Sequence, residues 1–155
     1  MTFIKNLQTS EHGLSGEVFF GLFEKDVTLL VEGHDLSYAQ ACAINLNEMS
    51  DVLVQDLCEA SIRYRAACLE ANGVPAVQLE TVQDILKSID PRILIVPCIE
   101  GLSDPVIHLE LNCAWEEEHG MEWMIRDRKV LYVGAFSGED PLGDLSTLNA
   151  ENYAR

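Results

Sequence analysis

The segment with the densest chemistry in the chain is Cys113-Ala114-Trp115-Glu116-Glu117-Glu118-His119-Gly120. Carboxylates, an imidazole and a thiol this close together admit three uses. As a metal site, Glu116, Glu118 and His119 would be the ligands, with Cys113 as a further donor. Mixed carboxylate and imidazole suit zinc or manganese, and carboxylates alone suit calcium. The spacing argues against it, because neither His-Glu-x-x-His nor an Asp-rich calcium loop is present. No metal or cofactor is therefore assigned. As acid–base machinery, His119 with Glu118 beside it could act as a general acid, but no Gly-x-Ser-x-Gly or paired nucleophile accompanies it. The third use is structural: Trp115 fills the core, His119 bonds a backbone carbonyl, and Gly120 supplies a positive φ. Trp115, Glu116, Glu117, Glu118 and His119 would then present a partner-binding tip.

These residues need elements to hold them. Glu17 to Phe23 is rich in strand formers, Glu24-Lys25-Asp26 is a polar turn, and Val27 to Val31 is a second strand, predicting a hairpin. Ser37 and Gln40 have capping-box spacing ahead of an Ala-rich helix that runs to Leu46. Ser50-Asp51 opens a second helix, whose apolar positions from Leu53 to Ala71 recur every three or four residues until Gly73 stops it. Thr81 and Asp84 cap a short third helix. Arg92 to Pro97 is almost wholly apolar, which predicts a strand buried on both faces. Val106 to Asn112 alternates, with Val106, His108, Glu110 and Asn112 on one side, which predicts a half-exposed strand. Glu122 to Ile125 and Lys129 to Val133 flank the turn Arg126-Asp127-Arg128.

Phe136 to Arg155 reads as a mostly irregular tail. Gly134, Gly138 and Gly143 with Asp140 and Asp144 resemble a Gly-rich loop only superficially, since Lys129 precedes them rather than following. Arg63 and Arg65 are expected to form salt bridges with nearby acids. The expected fold is α+β: an antiparallel sheet of about five strands with two or three helices on one face, the other face open. One domain spans residues 1–155, with its core at roughly 16–134.

Composition narrows the function classes. The chain has 155 residues, 10 Lys and Arg against 26 Asp and Glu, and a formal net charge of −16. Such a surface repels phosphate backbones and anionic membranes, so neither nucleic acid nor a membrane is an expected partner. It attracts a basic protein and speeds that encounter. No apolar run reaches the roughly eighteen residues of a membrane span, and the amino terminus has no signal-peptide pattern. The five cysteines (Cys42, Cys58, Cys68, Cys98 and Cys113) have no Cys-x-x-Cys spacing and read as buried reduced thiols. The expected location is the cytoplasm.

Trp115 to Gly120, the short helix and two strands before it, and Lys129-Val130-Leu131-Tyr132-Val133-Gly134 resemble a bacterial family of small uncharacterised domains. That family carries a Trp-Asp-x-Glu-His-Gly signature. The resemblance extends over Gly16 to Gly134 and matches the signature at Trp115, Glu118, His119 and Gly120. Glu116 stands where the family has Asp. The resemblance implies no known reaction, and some members look like immunity proteins. The reading that follows is a protein-binding module, of immunity type, that covers a basic partner. The alternatives are a small hydrolase or metal-dependent enzyme centred on the Trp115 to Gly120 loop, and a structural homo-oligomer or homodimer.

Overall fold

Alternation of apolar and polar side chains along Val27 to Glu32 sets the orientation of the sheet. Val27, Leu29 and Val31 are buried, while Thr28, Leu30 and Glu32 face outward. The structure is a computed structural model, and it describes residues 3–98, 104–141, 143, 145 and 151–154. Among these residues the strands are β1 (Ile4–Ser10), β2 (Gly13–Phe20), β3 (Lys25–Glu32), β4 (Ile89–Val96), β5 (Val106–Cys113), β6 (Glu116–Arg126) and β7 (Lys129–Gly134). They form one sheet in the order β1-β2-β3-β4-β5-β6-β7. Every neighbouring pair is antiparallel except β3 and β4, which run parallel. A parallel pair needs a long crossover. Here it contains α1 (Leu36–Asn47), α2 (Asp51–Ala71) and a 3₁₀ helix at Val82–Ser88.

The helix boundaries have local causes. Asp35 caps α1 by accepting from the Tyr38 N–H at 3.0 Å, a position two residues before the predicted Ser37 cap. Asn47 ends α1 and ties it to the sheet: its Nδ2 donates to Ala43 O and Phe19 O, and its Oδ1 accepts from Gly21 N–H. Ser50 caps α2 through the Leu53 N–H, as predicted. Thr81 and Asp84 form the predicted capping box, although the helix they start is 3₁₀. Both α-helices bury an apolar stripe, including Ala39, Cys42 and Leu46 on α1 and Leu57, Ala60 and Tyr64 on α2. These stripes join Val18, Leu29, Leu94, Leu109, Trp123 and Val133 in the main core. Trp123 is fully buried, and its indole N–H donates to Ser61 Oγ at 3.1 Å, joining β6 to α2 through a satisfied polar contact. No described helix is long and apolar enough to cross a membrane.

The expected sheet of about five strands, for which six segments read as strands, is corrected to seven strands, still in the α+β class. The strand absent from the prediction is β1, whose Lys5 to Ser10 side chains are all exposed. An edge strand held by backbone pairing to β2 leaves little hydrophobic alternation to read. In addition, β6 starts at Glu116, six residues before the predicted start, so the Glu116 to Gly120 segment is strand rather than loop.

The two faces also differ from expectation. On β4, Arg92 is exposed and Ile93 and Ile95 are only half-buried, so this apolar strand has an open face. Conversely, β5 is covered on both faces over Val106 to Leu109. The cover is 135–141, part of the predicted irregular tail. The Tyr132 hydroxyl donates to Ala135 O at 2.7 Å, and Phe136 stacks on His108. Val106, Met124 and Tyr132 are buried beneath it, on the face opposite α1 and α2. A second tail piece, 151–154, closes the β7 edge. The Tyr153 N–H donates to Val133 O, and the Asn152 side chain bonds both Val133 N–H and Leu131 O.

Candidate functional site

The Trp115 to Gly120 segment is a tight β5–β6 connection. Cys113 pairs with Glu116 across it, so only Ala114 and Trp115 lie in the turn. Trp115 packs against the core edge-on to Tyr64, with ring centroids 6.0 Å apart. The Tyr64 hydroxyl donates to Gly120 O at 2.9 Å. Gly120 has φ +65°, and a Cβ there would meet Leu111 O at 2.6 Å, so glycine is required both for conformation and for space. Two of the three expected structural roles are present. The third is corrected: His119 bonds no carbonyl, and its side chain is exposed with Nδ1 3.4 Å from Glu116 Oε1.

Glu116 organises this turn. Its Oε1 accepts from the backbone N–H of Glu118 at 3.1 Å and of His119 at 3.3 Å. Burial alone would raise the Glu116 pKa, but these donors and the imidazole outweigh it and hold the carboxyl below its ordinary value. Glu117 and Glu118 are exposed. Burial pushes the Cys113 thiol up to about 12, and it donates to Glu116 O at 3.7 Å. Among the described residues no group of three or more His, Cys, Asp or Glu side chains is placed to hold a metal ion. The Glu116, Glu118 and His119 ligand set therefore does not assemble.

The structure brings together a different polar group, on the face away from the helices. Glu122 is fully buried and His108 is 5% exposed, and His108 Nε2 lies 2.6 Å from Glu122 Oε2. The other carboxylate oxygen, Oε1, accepts from the Ser137 N–H at 3.1 Å and its hydroxyl at 2.6 Å. The sheet register makes the pair: Met124 stands opposite His108, and Glu122 is the diagonal neighbour two residues away. With both oxygens of Glu122 accepting, Nε2 carries the proton toward the carboxylate. In the neutral imidazole Nδ1 is then an acceptor, and it has no hydrogen-bond partner among the described residues. The Phe136 ring lies nearly parallel to the imidazole, 6.5 Å away and 12° inclined.

This cluster forms one wall of a cavity of about 380 Å³ at the carboxyl ends of β3 and β4. Glu32, Glu139 and Asp140 bring carboxylates to it, and Ile95, Pro97 and Phe136 bring apolar surface. A neighbouring groove on the open face shares Glu32 and Ile95 with the cavity and continues over Leu30 and Ser15. The cavity therefore opens onto the uncovered half of the sheet.

Sequence reasoning placed His108 on the open face and did not pair it. The available signal was a lone His and a lone Glu inside two apolar runs, Val106 to Leu111 and Met121 to Ile125, joined by a turn at Trp115. Other expectations are corrected in detail. Arg65 donates to Val77 O and makes no ion pair among the described residues, while Arg63 donates through Nε and Nη2 to Tyr153 O. Cys42, Cys58 and Cys113 are buried and Cys68 is half-buried, as expected, but Cys98 is exposed; all five are free thiols. Gly134 ends β7 and Gly138 lies in the segment covering the sheet, which places neither in a phosphate loop. Asp144 of that predicted loop lies outside the described residues.

Comparison with protein families matches residues 3–141 to Domain of unknown function (DUF6985). Neither the curated proteins nor the solved structures gave a match.

Proposed function

The chain belongs to the DUF6985 family, whose function is undefined, so its own surface must carry the reading, and we propose that it is a protein-binding module for a basic partner. The observation that carries this is the open half of the sheet. Phe19 is 40% and Leu30 43% exposed, beside half-buried Ile93 and Ile95, with Glu17 and Glu32 around them and Asp26 paired with Lys5. Apolar groups ringed by carboxylates suit a partner whose apolar contacts are bordered by Lys and Arg. A net charge of −16 adds long-range attraction. An immunity-type role, in which the module covers a basic toxin, is the specific form of this reading. The exposed carboxylates of Glu117 and Glu118, with Glu116 behind them, form a second acidic surface at the other end of the sheet.

The test is affinity capture from a lysate of the source organism with a salt-gradient release, repeated with two variants. Phe19→Ser/Leu30→Ser alters the open sheet, and Glu116→Gln/Glu117→Gln/Glu118→Gln alters the turn. The expected result is one basic protein, released by salt, lost with the first variant and retained by the second. Loss only with the second variant would move the interface to the turn. A captured protein that is not basic, or capture unaffected by both variants, would overturn the reading.

A further inference from the structure

We infer that the cavity at His108 is an anchor site for an arginine side chain of the partner. This rests on the basic-partner reading and adds the chemical group that the protein grips. The lining is almost entirely acceptors and apolar surface. Glu32 and Glu139 line the cavity with carboxylates that make no ion pair among the described residues, and Asp140, which has a partner of its own, also lines it. Acidic residues alone would be an ordinary solvated rim. The difference here is the buried imidazole.

His108 is held rigidly through Nε2 by Glu122, which is itself fixed by two Ser137 donors. Its Nδ1 has no partner, yet the only sealed and unpartnered side-chain nitrogen or oxygen among the described residues is Trp115 Nε1. His108 Nδ1 is therefore not sealed, and His108 lines the cavity. A buried imidazole held in place in the wall of a cavity that carboxylates also line calls for a ligand with several N–H donors and a positive charge.

Guanidinium fits that description better than ammonium. It presents five donors in a plane, loses hydration more readily, and stacks on aromatic faces such as Phe136. The position fits as well. The cavity meets the open groove at Glu32 and Ile95, so a chain lying on Leu30 could turn one side chain into it.

The test uses the full chain with N-acetyl-arginine amide as probe, followed by NMR of the His108 ring and of the 136–140 backbone amides. N-acetyl-citrulline amide is the neutral isostere, and N-acetyl-lysine amide the alternative cation. The expected result is saturable shifts at His108 and 136–140 with the arginine probe, weaker binding of the lysine probe, and none with citrulline. Glu32→Gln/Glu139→Gln, at exposed positions that leave the core intact, should weaken arginine binding about tenfold or more. Equal binding of citrulline, shifts located elsewhere, or indifference to Glu32→Gln/Glu139→Gln would overturn the inference. If the cavity fails while capture stays sensitive to Phe19→Ser/Leu30→Ser, the basic-partner reading stands without this anchor. If the captured partner is not basic, that reading falls, and the arginine titration still decides the cavity.

Discussion

The two halves of the sheet are finished differently. From β5 to β7 both faces are covered and the outer edge is closed: 135–141 lies over His108 and Glu122, and 151–154 pairs with β7. Among the described residues, the helices cover one face only from β1 to β4, Leu30 and Phe19 remain exposed, and β1 is the edge strand. β1 interrupts its own regularity with a bulge between Lys5 and Gln8, where Asn6 has φ +53°, which discourages another strand from pairing there. The contrast teaches that the polar residues of a half-sheet do not reveal which half is wet. The closed half contains the buried His108–Glu122 hydrogen bond, and the open half exposes the apolar residues.

The largest break in that comparison should come from Glu122→Ala. It leaves three donors, His108 Nε2–H and the Ser137 N–H and hydroxyl, facing no carboxylate, at about 1–3 kcal/mol for each, or roughly 6–20 °C in Tm for a domain of this size. His108→Leu/Glu122→Met, which removes both partners and keeps the volume, should recover much of that loss. A double variant as unstable as the single one would show that packing, rather than an orphaned polar group, holds the closed half.

Asn152→Ala should cost less, about 1–2 kcal/mol, because its amide satisfies Leu131 O and Val133 N–H at the sheet edge. Hydrogen exchange at Val133 should accelerate while exchange in β2 and β3 does not. Uniform acceleration across the sheet would mean that the two halves unfold as one unit. The smallest effect is expected at the turn, from Glu116→Gln. The folded-state pKa of Glu116 lies below its ordinary value, so its contribution is present above the ordinary carboxylate pKa and is lost as pH falls through the folded one. The Tm gap between native protein and Glu116→Gln should therefore be small at pH 7, below about 1 kcal/mol, and vanish in acid. A gap that persists in acid would assign the role of Glu116 to shape alone.

Where capping and turn chemistry govern, the sequence was readable. Ser50 and Thr81 with Asp84 act as their types suggest, and the predicted turn falls at Asp127-Arg128, although φ +60° at Arg128 is a conformation its type disfavours. The alternation of β5 was also read correctly as two faces, but alternation cannot say what covers them. Gly, Asp and Ser in 135–141 suggest a loop, and their value lies in the Ser137 donors that meet Glu122 from 15 residues away. The Glu-rich turn drew attention because its chemistry is contiguous. The His108 cluster draws residues from β5, β6 and the tail, so no spacing along the chain announces it. β1 escaped notice because its Gln, Thr and Ser side chains face water while its backbone makes the pairing.

The strand order carries a consequence for how the chain is made. Each strand pairs only with its neighbours in sequence, and one junction, β3 with β4, spans both helices. During synthesis the β1–β3 meander can close by short loops as it leaves the ribosome, followed by the helices that cover it. The β5–β7 meander closes just as locally and last. The slow event is then the meeting of two preformed halves along one parallel seam, Thr28 to Val31 against Ile93 to Val96. Until that seam forms, the nascent β3 edge is the surface that a chaperone, or a second nascent copy, would find first.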